Sequence, residues 1–138
     1  MDSGGFFALL DRSDEAHDDA VRVFERANAE KWQLVTTNTV VVETYALLVN
    51  RTRQGRTSGI AFLDHLKRTR MRIERVTEAD ERNAIGLVRA QTDKSYSLCD
   101  AQSFVVMERL KISEAIAADD DFRQYGWRTC CRWAVAKM

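Results

Sequence analysis

The 138-residue chain contains no proline, only three cysteines and only two histidines. Each shortage excludes something. Three cysteines, two of them the adjacent pair Cys130-Cys131, cannot build a disulfide framework or a four-cysteine zinc site, and they suit a reducing cytoplasm. His17 and His65 lack the spacing of a histidine metal site or of a nucleophile–histidine–acid triad. No apolar run approaches the ~18 residues that a membrane-spanning helix requires. The opening Met1-Asp2-Ser3-Gly4-Gly5 lacks the basic segment of a secretion signal. Excess charge is missing too. The 21 Lys and Arg balance 21 Asp and Glu, which argues against a globally basic nucleic-acid binder but leaves room for a local basic face.

What is present is the composition of a soluble globular protein, 45% hydrophobic and 30% charged. With no low-complexity linker and no internal repeat, residues 1–138 read as a single domain. Residues 14–31 form an expected amphipathic helix capped by Ser13, with Ala16, Ala20, Val23, Phe24 and Ala27 on one face. A short buried strand is expected over Gln33–Thr37, then a helix over Val40–Val49 with Asn38 or Thr39 before it as the cap. A further helix covers Thr57 to about Thr69 with Ile60, Phe62, Leu63 and Leu66 inward, and Met71, Ile73 and Val76 alternate as a strand. Thr77-Glu78-Ala79-Asp80 and Ser97-Leu98-Cys99-Asp100 resemble capping boxes that open helices to about Thr92 and Leu110. Ala115–Ala118 reads as a strand leading into Asp119-Asp120-Asp121. Strands thus alternate with helices, the pattern of an α/β fold with a parallel sheet, in which ligands collect at the C-terminal ends of strands.

Glu43 lies in the otherwise apolar run Val40–Leu48, where a carboxylate needs an exposed position, a basic partner such as Arg51, or a cation. Asp100 opens the apolar stretch Phe104–Met107 and is either a cap or a ligand. Asp119 stands at an expected strand end, and Asp2 stands at another if Met1 ends a strand. Carboxylates gathered in one place repel unless a cation neutralises them, and hard oxygen donors suit Mg²⁺ or Mn²⁺ rather than zinc.

The four segments that hold these acids, taken in order, resemble the PIN-domain family and within it the VapC-type ribonuclease toxins. They are Asp2-Ser3-Gly4-Gly5-Phe6-Phe7, Val42-Glu43-Thr44-Tyr45-Ala46, Asp93 to Phe104 around Leu98-Cys99-Asp100, and Ile116-Ala117-Ala118-Asp119-Asp120-Asp121-Phe122. The resemblance implies a three-layer PIN-like sandwich with a central, mainly parallel sheet flanked by helices. It implies a metal-dependent endoribonuclease in which Asp2, Glu43, Asp100 and Asp119 bind Mg²⁺ or Mn²⁺, with Asp121 a further candidate ligand. It also implies an RNA substrate, a homodimer, a cognate antitoxin and a cytoplasmic location without membrane attachment. Family members carry several apolar residues before the first Asp, so the first strand reads as truncated here. Cys99 stands where the family often has Thr.

Arg51, Arg53, Arg56, Lys67, Arg68, Arg70, Arg72 and Arg75 crowd one segment. They are either a solvated face or a phosphate-contacting rim beside the acids, with Arg51, Arg53 and Arg56 the candidate RNA contacts. The alternative function is a catalytically inactive PIN-like module that binds RNA or protein.

Overall fold

The computed structural model describes residues 1–117; Asp119, Asp121, Trp127, Trp133 and the Cys130-Cys131 pair lie outside the described residues. Among the described residues, six helices and two strands follow one another as α1 (Ser3–Leu10), α2 (His17–Ala29), β1 (Val35–Thr37), α3 (Asn38–Arg51), α4 (Arg56–Arg68), β2 (Arg72–Glu74), α5 (Glu78–Ala90) and α6 (Leu98–Arg109).

Local hydrogen-bonding chemistry sets most of the helix starts. Thr77 and Ser97 accept the N–H groups of Asp80 and Asp100 at 3.1 and 3.0 Å, and both aspartates return the bond, so both expected capping boxes form. The start of α3 is capped one residue earlier than expected, by the Thr37 hydroxyl on the Val40 N–H at 3.1 Å. Asn38 is used elsewhere: its side-chain oxygen accepts the Val76 N–H at 2.8 Å and ties the segment after β2 to the start of α3. Ser13 does not cap α2. Its N–H and hydroxyl both bond to Asp11 Oδ1, and Asp14 Oδ1 accepts the Ala16 N–H. These side-chain turns hold the chain out of the helix until His17.

Strands β1 and β2 pair in parallel, with Val35, Thr36 and Thr37 opposite Arg72, Ile73 and Glu74. On one side of β1 the Leu34 carbonyl accepts the Arg72 N–H at 2.9 Å, and on the other the Val35 carbonyl accepts the Met1 nitrogen at 2.5 Å. Successive carbonyls of an extended chain point opposite ways, so Met1 lies beside β1 on the side away from β2. The Asp2 N–H then bonds to the Ile116 carbonyl at 2.8 Å. The layer therefore runs β2, β1, Met1-Asp2, Ile116, which is the α/β arrangement expected. The strand expected at Ala115–Ala118 does not form within the described residues. Residues 115–117 are buried, but α1 begins at Ser3, so the ladder beside Ile116 ends after Asp2.

The main core joins α1, α2, α3 and α4 around Phe6, Val40, Leu48 and Phe62, with the Phe6 and Phe62 rings edge to face at 5.2 Å. Fully burying a side chain such as Phe62 contributes about 2–3 kcal/mol. Gly59 lets α4 approach α3, because a Cβ there would come within 2.7 Å of the Tyr45 ring. A second cluster links β1 to α6 through Val35, Tyr96, Phe104 and Met107. Helix α6 is buried without a break from Asp100 to Met107, so it is a central helix rather than an amphipathic surface one. Ile60, expected inward, is 37% exposed, and Ile73 on β2 is 40% exposed, because α4 and β2 lie at the periphery.

Candidate active site

Three of the four acids read from the sequence, borne on three different segments, act electrostatically on one thiol. Asp2 is 3% exposed and precedes α1. Its side chain makes no capping bond to that helix, while its backbone is held by Ile116 and its neighbour Met1 by the Thr36 hydroxyl at 2.8 Å. Glu43 is half-buried on α3, between the exposed Val42 and the fully buried Thr44. The helix is therefore wet on one side and dry on the other, and Glu43 sits at the boundary. Asp100 is 8% exposed in the first turn of α6, where its Oδ2 accepts the Ser97 N–H at 3.3 Å.

The common neighbour is Cys99. Burial pushes its thiol well above the usual range, and the Glu43 carboxylate, which also accepts a hydrogen bond from the thiol, pushes it further, as do Asp2 and Asp100. The thiol stays protonated at neutral pH and acts as a donor to Glu43. Sequence reading registered Cys99 only as the loss of a hydroxyl. Its adjacency to Asp100 was the available signal for a role in the site.

The donor chemistry of the three carboxylates fits a hard divalent ion. Among the described residues, no three acidic, histidine or cysteine side chains converge tightly enough to hold one as they stand. Asp119 and Asp121 lie outside the described residues. A cavity of about 30 Å³ lies beside Asp2, Thr36, Thr37 and Ser103. Ligand pockets run from roughly 300 Å³ upward, so this one is too small for a nucleotide.

The basic segment does not form one rim. Arg51, Arg53 and Arg56 are exposed at the far end of α3 and the turn into α4, and Arg51 follows Glu43 by just over two helical turns, about 12 Å along the axis. Arg72 pairs with Glu74 at 2.6 Å. The most elaborate charge cluster was not read from the sequence at all. Arg109, at the end of α6, donates to Asp80 on α5 at 3.0 and 2.8 Å and to Glu74 on β2 at 3.0 Å. Burial would raise the Asp80 carboxyl, but the bonds from Arg109 and Thr77 outweigh it and hold it below its ordinary value. Arg109 lowers Glu74 as well.

Residues 1–128 match the PIN domain. The chain belongs to the PIN-domain family. Relatives of this PIN domain include the 23S rRNA-specific endonuclease VapC20 from two strains of Mycobacterium tuberculosis, each 34% identical over 128 residues, covering 92% of this chain and 93% of the relative. Among solved structures it is similar to the crystal structure of Mycobacterium tuberculosis VapC20, described as a sarcin-ricin loop cleaving toxin. That match has a TM-score of 0.81 and 31% identity, and covers 92% of this chain and 94% of the other. The α/β architecture is thus that of a PIN domain. Among the described residues no helix is long and apolar enough to cross a membrane.

Proposed function

We propose that this PIN-domain protein is the ribonuclease toxin of a type II toxin–antitoxin pair, that it hydrolyses phosphodiester bonds in a folded RNA, and that it does so with Mg²⁺ or Mn²⁺. The observation that carries the reading is that the buried Asp2 and Asp100 and the half-buried Glu43 all act electrostatically on one buried thiol, Cys99. Membership of the family and likeness to an rRNA endonuclease toxin support it.

In this reading Asp2, Glu43, Asp100 and Asp119 hold the ion, with Asp121 a further candidate ligand. A bound divalent ion would polarise the phosphate and make a water nucleophilic at neutral pH. The chain's own task is to keep the oxygens in place. Asp2 is fixed by the backbone bonds on either side of it. Asp100 is fixed by the capping box, which leaves one carboxylate oxygen outside the cap. The Cys99 thiol hydrogen-bonds to Glu43. The RNA of the relatives, the sarcin-ricin loop of 23S rRNA, is the first substrate to try. A cognate antitoxin covering the acidic face and a homodimer complete the proposal.

The test is cleavage of an rRNA fragment carrying that loop, with Mn²⁺, with a chelator, and with Mn²⁺ restored. Cleavage should stop on chelation and return on restoration. The protein alone should melt at a higher temperature in Mn²⁺, since an ion at a hundred times its dissociation constant adds about 2.7 kcal/mol to the native state. Undiminished cleavage in chelator, or no cleavage of this or any other RNA, would overturn the reading.

A further inference from the structure

A groove of about 610 Å³ opens at the opposite end of the sheet from the acidic residues. Its floor includes Gln33 and Leu34, which precede β1, and Arg70 and Met71, which precede β2. Its walls are the C-terminal ends of α2 and α4, with Trp32 between them. Asp2, by contrast, lies alongside the C-terminal half of β1, next to Thr36 and Thr37.

The groove carries Lys31, His65, Arg68 and Arg70 and no acidic residue in its lining. Lys31, Arg68 and Arg70 are exposed, and among the described residues none of the three forms a salt bridge. Cations at helix C-termini have an ordinary explanation, since they offset the negative end of the helix dipole. The magnitudes do not balance here. Two helix C-termini amount to about one negative charge between them, against three full positive charges. The excess of about two charges faces an open groove with room for a phosphodiester chain.

The geometry points to this groove as a second RNA anchor, which grips the sugar-phosphate backbone of a folded substrate at the pole opposite the acidic site. The inference rests on the ribonuclease reading above for the identity of its ligand, and it assigns a task to basic residues that sequence reading placed beside the acids. Contacts to phosphate position an RNA without reading its sequence and make its binding salt-dependent. Trp32 is a wall of the groove rather than a stacking platform. Its indole N–H is bonded to Glu30, and the Arg26 guanidinium lies 5.4 Å from its ring centre.

The experiment compares wild type with the double variant Arg68→Gln/Arg70→Gln, both positions being exposed, and with Arg12→Gln/Arg89→Gln, also exposed, as a control for charge loss elsewhere. Fluorescence anisotropy measures binding of a labelled RNA hairpin in chelator across a range of salt, and cleavage of the same hairpin is followed in Mn²⁺. For the groove variant the plot of log affinity against log salt should flatten by about 1.5, two phosphate contacts' worth. KM for the hairpin should rise severalfold while kcat and the melting temperature stay as in wild type. Polyglutamate serves as an acidic-protein probe. A groove variant that binds RNA with wild-type affinity and salt slope overturns the proposal, as does one that loses only polyglutamate. Absence of RNA cleavage by the wild type would strike the ribonuclease reading alone, because the binding arm still decides the groove.

Discussion

Helices α5 and α6 begin with nearly the same device and put it to different uses. Each opens on a hydroxyl that caps the N–H three residues on and receives a carboxylate bond in return, Thr77 with Asp80 and Ser97 with Asp100. Both aspartates are buried, at 2% and 8% exposed. Asp80 faces Arg109, which gives it two charge-assisted bonds and donates a third to Glu74. Asp100, with Glu43 and Asp2, acts electrostatically on the Cys99 thiol. One carboxylate is neutralised by the fold and the other is grouped with its own kind. A capping box therefore says nothing for or against a functional aspartate, since capping and ligation can share one side chain through its two oxygens.

The comparison is sharpest when each aspartate loses its charge but keeps its cap. Asp100→Asn should reduce RNA cleavage by about a hundredfold or more, the several kcal/mol of transition-state stabilisation at issue in a metal site, and should abolish the Mn²⁺-induced rise in melting temperature. Without metal its stability should stay near wild type, because Asn retains the capping acceptor and one repelling charge is gone. Asp80→Asn should do the reverse, with near-normal cleavage and a stability loss of about 1–2 kcal/mol. Equal cleavage by the two variants would dissolve the distinction.

Removing the arginine tests the neutralised side. Arg109→Met leaves Asp80 buried beside no cation and should cost about 2–3 kcal/mol, below the full value for a wholly buried pair because Arg109 is partly exposed. Cleavage per folded molecule should be unchanged. The pH dependence follows from the lowered carboxyls of Asp80 and Glu74. A carboxyl that is more acidic in the folded chain stabilises it above the unfolded value, about 4, and that contribution is lost as the pH falls through the lower folded value. Denaturation followed from neutral pH down to about 2 should therefore show a steep acid loss in wild type and a flatter one in Arg109→Met. Parallel acid limbs would mean that other carboxylates carry the acid sensitivity.

The smallest effects come from the caps themselves. Thr77→Ala and Ser97→Ala should each lower stability by about 1 kcal/mol, since the two hydroxyl bonds are nearly equal in length. Only Ser97→Ala should also slow cleavage, by a few-fold, because it loosens the turn that holds Asp100. Cleavage kinetics on the two variants settle whether the second box does more than start a helix.

Local features were legible before any coordinates. Both capping boxes, the alternation of helices and strands, and the strand at Val35–Thr37 follow from side chains acting on backbone within a few residues. So does the suspicion attached to Glu43, a charge in an apolar run. Displaced helix starts were less legible because they depend on competition. Asp11 engages Ser13 and Val76 engages Asn38, so neither caps the helix that it precedes.

The sequence by itself determined the kinds of element, their order, the family to which the chain belongs and the acids worth watching, because each of these is written in short-range pattern and residue type. Tertiary structure alone decided which charges meet. Arg109 reaches Asp80 and Glu74 across 29 and 35 residues, Asp2, Glu43 and Asp100 all act on the buried Cys99 thiol, and Arg68 and Arg70 fall at the far pole of the sheet from Asp2. The reason is physical. A capping bond is a property of one turn of backbone, whereas the fate of a buried charge depends on whatever the packing of distant elements brings within a few ångströms of it.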